Sequence, residues 1–401
     1  VTRGSDGYSR TLDEFLAKIR NWYETDYQGF RSAYDEAVAN VVPFPDDTPE
    51  EVQCDWQDQD IDFLCDFFAE WYHWMPGVVS GLNYIEQFSW ISYENDAGMA
   101  FVTTGPGYEM TADFTNLRGL QMDTKESKEL IRSWIDELGP KRMADYRMED
   151  WETFNQFFVR DIKEDARPIA APDDDSVVVA PADCVINMIV DDLTAHTQIP
   201  IKTVTMNIAQ LLDNSPYAEK FIRGTAVSCI LMPDSYHWYH TPVAGEVVEA
   251  RDDIGGLYYG MRNFPELLNK GDVGYGYDYA MFEYFRRGYL IIKTRYLDAA
   301  GKPDGEGYVG MVPVGLNSIA SVNFRDKFTG QLPVTVDKGE KVGNFMYGGS
   351  LNILLFEQDR FPALQLLQGQ RIGVLEPKER TRGLFTGPYH TSSRRRLPLH
   401  P

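Results

Sequence analysis

The spacing of apolar residues changes once along this chain, near residue 150, and that change limits the folds open to it. In residues 11–147 the pattern is helical. Leu12, Phe15, Leu16 and Ile19 recur at intervals of three and four, and Ile61, Leu64, Cys65 and Phe68 do so again, which gathers each set on one face of a helix. A third helix is expected over 127–138, opening after Thr124 and stopping at Gly139-Pro140. After Trp151 the apolar residues fall instead into short β-rich runs at 177–180, 185–189, 227–232, 243–248, 289–294, 308–314 and 353–356, punctuated by turn residues. The expectation is an α+β chain with a helical N-terminal domain over 1–150 and a β-rich domain over 151–401. The charged segment 161–175, with Pro168 and Pro172, reads as the arm between them.

Aromatic residues crowd the stretch from Trp56 to Trp90, including Trp71, Tyr72, His73 and Trp74. They suit a packed helical core better than a cofactor box. At 401 residues and 43% hydrophobic content, the chain can bury one large core or two ordinary ones. Its 61 acidic against 38 basic residues give a net charge of -23, whose field repels phosphate polymers and anionic lipid. Nucleic acid is therefore not an expected partner and a membrane is disfavoured, although Arg286 and Arg287 form a small basic patch that acts at short range. Cys54, Cys65, Cys184 and Cys229 make no C-x-x-C pair, as expected of a reduced, cytoplasmic interior. No apolar run approaches the roughly 18 to 20 residues that span a bilayer, and residues 2–6 are polar, without a hydrophobic signal core.

Two of the six histidines share one short segment, His237 and His240, between Pro233 and Pro242. Such a pair can be half of a zinc site, an acid and a base, or two structural imidazoles. No third His or Cys stands at a partnering spacing, so no metal is assigned. On a regular strand the two would face opposite ways, so a shared site requires the backbone to turn. A second feature is Tyr347-Gly348-Gly349-Ser350. Two glycines leave the Gly349 carbonyl open to close approach, and taken alone the run suits an ordinary turn or a reactive one. Asp183, after Pro181, is by itself a turn residue.

In order along the chain these fragments carry a resemblance. Phe157-Phe158-x-Arg160, Arg167-Pro168, Val179-Ala-Pro-Ala-Asp183, Tyr236-His237-x-x-His240-x-Pro242-x-x-Gly245, Val312-Pro-Val-Gly315 and Lys338-Gly-Glu-x-x-Gly343-x-Phe345-x-x-Gly348-Gly349-Ser350 together resemble the phosphatidylserine decarboxylase family over about 150–360. The resemblance implies a barrel-like sandwich for the β-rich domain, with hairpin-like turns at Asp183-Cys-Val and Lys338-Gly-Glu. It also implies self-cleavage between Gly349 and Ser350 into a β and an α fragment, with Ser350 becoming a pyruvoyl group, and a homodimer. Ser350 Oγ would attack the Gly349 carbonyl, with His240 as base and Asp183 fixing its tautomer. The substrate amine would condense with the ketone, which takes up the electrons released with carbon dioxide. His237 would then protonate the carbanion, and Gly348, Tyr236, Trp238 and Tyr347 would line the substrate pocket. Cys184 and Thr203 stand where the family has glycine, and Gly-Gly precedes the serine where Leu-Gly is commoner.

The acidic charge and the helical front half resemble soluble family members that decarboxylate free aromatic amino acids. A soluble L-amino acid such as tryptophan is therefore the expected substrate, with phosphatidylserine as the alternative and an inactive scaffold as the reading outside catalysis. Tyr258, Tyr259, Tyr275, Tyr277 and Tyr279 among glycines suit an aromatic pocket or a surface loop equally.

Overall fold

The computed structural model describes residues 7–46, 48–78, 80–191, 193, 208–256, 285–316, 321–361, 363–370 and 372. The helical pattern of the first part becomes α1 (Leu12–Glu24), α2 (Phe30–Ala39), α3 (Ile61–His73), α4 (Asn83–Ser92), α5 (Asp96–Thr103), α6 (Gly105–Met122), α7 (Glu129–Met143) and α8 (Phe154–Phe158). Side-chain caps start several of them: Thr11 accepts the N–H of Glu14, Asp60 that of Phe63 and Thr153 that of Gln156, satisfying donors that a helix leaves orphaned at its first turn. The stop expected at Gly139-Pro140 is a break inside α7. Gly139 turns to φ +73°, and one further turn carries the chain to Met143. Phe15, Ile19, Leu64, Cys65 and Phe68 meet in one core with Trp56, Trp71 and Trp90. Ring centroids there lie 4.6 Å apart for Phe68 and Phe114 and 4.7 Å for Trp56 and Phe67, so the aromatic-rich stretch builds a core.

The second part holds strands β1 (Val185–Val190), β2 (Thr225–Leu231), β3 (Trp238–His240), β4 (Gly245–Ile254), β5 (Arg287–Leu297), β6 (Pro303–Leu316), β7 (Val322–Phe324), β8 (Val334–Val336), β9 (Lys341–Phe345) and β10 (Gly349–Phe356), with short helices α9 (Ile208–Leu211) and α10 (Asp326–Thr329). The fold is α+β, a helical region followed by antiparallel sheets. One sheet of seven strands runs β1-β2-β10-β6-β5-β4-β8, and a second of three runs β3-β9-β7. The end strands β1 and β8 do not pair, so among the described residues the large sheet is open and not a closed barrel. The run at 177–180 forms no strand: it leads into β1 and is tied at Val179, whose N–H donates to Pro242 O at 3.0 Å. Lys338-Gly-Glu is likewise no hairpin turn. It carries the chain from β8 in the large sheet to β9 in the small one, and Lys338 Nζ donates to the carbonyls of Ala171 and Asp174 at 2.6 Å and Val177 at 3.1 Å, anchoring the end of the arm.

Alternation along each strand sends side chains to two cores. Leu351, Ile353 and Leu355 of β10, with Ile291 of β5 and Val312 of β6, pack against Trp134 of α7 and Phe154 and Phe157 of α8. Leu354 and Phe356 face the other way, with Val227, Leu290 and Met311, toward Tyr239, Val342 and Phe345 of the small sheet. The central strands are therefore buried on both faces, and β10 lies among them.

Candidate active site

Ser350 pairs with Leu231 of β2 on one side and Gly315 of β6 on the other. The Gly349–Ser350 bond thus lies inside a strand, not in the turn that a Gly-Gly-Ser run suggests by itself. Gly348, just before the strand, has φ +145°, a conformation that favours glycine. Ser350 is fully buried, and its Oγ has no hydrogen-bond partner among the described residues. Its pairing with Leu231 brings the segment that follows β2, with both histidines, alongside Gly348 and Gly349.

His237 is fully buried and stacks on Phe158, ring centroids 4.0 Å apart. One of its nitrogens, Nε2, lies 3.0 Å from Pro233 O. A carbonyl only accepts, so Nε2 carries the proton and Nδ1 is bare; Nδ1 is buried without a partner among the described residues. Burial pushes the imidazole pKa down to about 3, the Pro233 hydrogen bond opposing and nearby Arg160 assisting. In this state His237 is neutral and has no proton to give at Nδ1.

His240 shows the complementary tautomer. Its Nδ1 lies 2.8 Å from Gly339 O and must carry the proton, so Nε2 offers its lone pair and receives the Tyr236 O–H at 3.1 Å. Burial holds the pKa below the usual imidazole range, keeping the base form at neutral pH. The backbone fixes the ring as well, since His240 N–H donates to Pro181 O at 2.7 Å. The tautomer-fixing contact assigned in the sequence to Asp183 is made here by the Gly339 carbonyl. Asp183 receives a two-pronged pair from Arg167, both bonds 2.7 Å, while Arg167 also reaches Asp145 at 3.0 Å. The Asp183 charge still acts on His240 through space, favouring its protonated form.

Tyr347 and Gly348 line a narrow cleft, no wider than a water molecule as it stands, together with Gly81, Leu82, Ile85, Trp134 and Pro233. The Tyr347 hydroxyl donates to Gly81 O at 3.3 Å, its backbone N–H to Asn155 Oδ1 at 3.2 Å, and its ring meets Trp134 edge-on at 6.2 Å. Trp238 and Tyr236 stand elsewhere: Trp238 Nε1 donates to Val159 O at 2.7 Å and Lys341 Nζ covers its ring at 4.3 Å, and Tyr236 serves His240. The tyrosines at 258, 259, 275, 277 and 279, and Thr203, lie outside the described residues. Sequence reading missed the contributions of Leu82, Ile85 and Trp134, which follow the helical period of core residues. It also gave no role to Arg167, although the Arg167-Pro168 motif marked it.

The protein-family model described as phosphatidylserine decarboxylase matches residues 154–376, more than half of the chain. The phosphatidylserine decarboxylase proenzyme of Anoxybacillus flavithermus is 30% identical over 251 residues, 60% of this chain and 83% of that protein. That of Clostridium novyi is 29% identical over 283 residues, 70% of this chain and 85% of the relative, and proenzyme 2 of Oryza sativa subsp. japonica is 28% identical over 271 residues, 67% and 39% of the two chains. None of these three is named for a free aromatic amino acid, so the expected kinship with such enzymes finds no support among them.

Proposed function

Because the chain belongs to the phosphatidylserine decarboxylase family, a group of pyruvoyl-dependent carboxy-lyases made as proenzymes, we propose that it cuts itself between Gly349 and Ser350 and then removes the α-carboxylate of phosphatidylserine. The observation that carries this reading is Ser350 itself: a fully buried hydroxyl without a partner, directly behind a glycine pair and beside the two-histidine segment. These residues fit a pyruvoyl precursor, since the attacked Gly349 carbonyl has no side chain on its own residue to shield it. Once formed from Ser350, the ketone supplies an electron acceptor for the departing carboxylate's electrons. His240 Nε2 is the base for the Ser350 hydroxyl, with its lone pair exposed by the Gly339 bond and Tyr236 as the donor to be displaced. Asp183 and Arg167 set the charge around it. His237 Nδ1, unengaged and buried, is the proton carrier at the substrate carbon after it has taken up a proton.

A second reading, decarboxylation of a free L-amino acid such as tryptophan, is favoured by one observation. Among the described residues, the cleft beside Gly348 is lined by Leu82, Ile85, Trp134 and Pro233 and by no Lys or Arg, whereas a phosphodiester is ordinarily met by a cation. Carbon dioxide release from phosphatidylserine vesicles and from a panel of free L-amino acids separates the two. Turnover of vesicles is the expected result. Turnover of free amino acids alone selects the second reading, and turnover of neither by a cleaved, carbonyl-bearing protein overturns both.

A further inference from the structure

Two residues beyond Ser350, on the same strand, Asn352 is fully buried and neither its Oδ1 nor its Nδ2 has a hydrogen-bond partner among the described residues. Leaving a buried amide unpaired costs about 1–3 kcal/mol, and native structures hold few such groups. Its surroundings do not explain it. Leu351 and Ile353 point into the core with α7 and α8, so Ser350, Asn352 and Leu354 share the opposite face of β10. Directly across from Asn352 stand Cys229 on β2 and Pro313 on β6, and Leu354 follows it. A thiol is a weak partner and the other two side chains are apolar. The polar side chain flanking Asn352 on this face is Ser350, whose own Oγ is also unpartnered. Two residues of strand separate their Cβ atoms by about 7 Å, a gap that two side chains leaning toward each other can close once the strand loosens at its cut.

We propose that Asn352 is a further residue of the self-cleavage reaction, donating from Nδ2 to the Ser350 oxygen. In the first step Oγ bonds to the Gly349 carbonyl carbon, the peptide C–N bond breaks, and the nitrogen takes up a proton in exchange for the one the hydroxyl lost, leaving an ester. In the second step a base removes the Ser350 Cα proton and the Cβ–Oγ bond breaks. The electron pair leaves with the new carboxylate of Gly349, and Asn352 Nδ2–H stabilises the charge growing on that oxygen. Tautomerisation returns a proton to Cβ, and water then replaces ammonia at Cα to give the ketone. Asn352 acts at the bond breakage in the second step.

The inference rests on the self-cleavage reading, and one experiment keeps the two apart. Full-length wild type, Asn352→Leu and Asn352→Ala are made by cell-free synthesis and followed by denaturing electrophoresis and intact mass, with and without hydroxylamine, which cuts esters. Wild type should split into two chains. Asn352→Leu, of similar shape, should melt no lower than wild type while forming the ketone-ended small chain about 10²-fold more slowly, and hydroxylamine should cut the accumulated ester. Asn352→Ala should slow the same step. Ketone formation at the wild-type rate in both variants, an uncut chain resistant to hydroxylamine, or slowing matched by a lower melting temperature in both overturns the role of Asn352. A wild-type chain that never splits overturns the self-cleavage reading itself.

Discussion

Asp113 in the helical region and the pair Ser350 and Asn352 on strand β10 are all buried polar side chains, and their surroundings treat them differently. In the helical region Asp113, 1% exposed, accepts from the Ser9 N–H and hydroxyl, both at 2.7 Å, and from Lys18 Nζ at 2.6 Å. On β10, Ser350 and Asn352 are equally buried and their side chains accept or donate nothing among the described residues. The first arrangement offsets the desolvation of a carboxylate with three donors, so removing the carboxylate would leave those donors without their acceptor. The second keeps a cost of a few kcal/mol in the centre of a sheet, which makes sense where those atoms acquire partners during a reaction. The Asp113 cluster and the polar pair on β10 thus lie in different parts of the chain, and substitutions can test them separately.

The largest separation is expected at the base. His240→Asn should slow chain cleavage by about 10²- to 10⁴-fold with little change in melting temperature, measured by electrophoresis of freshly made protein. Equal cleavage rates would remove His240 from the reaction. The converse change, Asp113→Ala, should cost about 3 kcal/mol by leaving Lys18 and Ser9 without their acceptor, read by denaturant unfolding, while the fraction that is folded cleaves normally. A cleavage defect at unchanged stability would blur the contrast between the regions. The smallest effect, taken per pH unit, is a pH dependence. The His237 pKa lies near 3 in the folded protein and near 6.5 in an unfolded chain, so the unfolded state binds the extra proton between those values. Its contribution to stability is complete above about pH 6.5 and is lost as pH falls, with a slope of up to about 1.4 kcal/mol per unit. Burial lowers the His240 pKa as well, adding in the same direction. His237→Gln should flatten the slope, and an unchanged slope would place the buried proton acceptor elsewhere.

How much of this was legible in the sequence depended on local against distant causes. Helices α1, α3 and α7 were readable because their apolar period or their stop signals are local: Phe15 and Ile19 had to share a face. The long strands of the large sheet were readable for the same reason, while β3, β7 and β8, three residues each, carry too little pattern to announce themselves. Ser350 and the two histidines were singled out through motif order. Their hydrogen bonds were not, because the Gly339 carbonyl reaches His240 across 99 positions and Arg167 competes for Asp183 through geometry alone. Leu82, Ile85 and Trp134 were hidden in a different way. A residue that lines a cleft and one that fills a core share the same helical spacing, and only the position of Tyr347 and Gly348 distinguishes them.

The intact mass of the purified chain, before any substrate is added, tests the central claim most directly. Two polypeptides should be found, a large one ending at Gly349 and a small one starting at position 350 and lighter than a serine-ended chain by one ammonia. A single species with the mass of the uncut sequence, unchanged after prolonged incubation at neutral pH, would contradict the account.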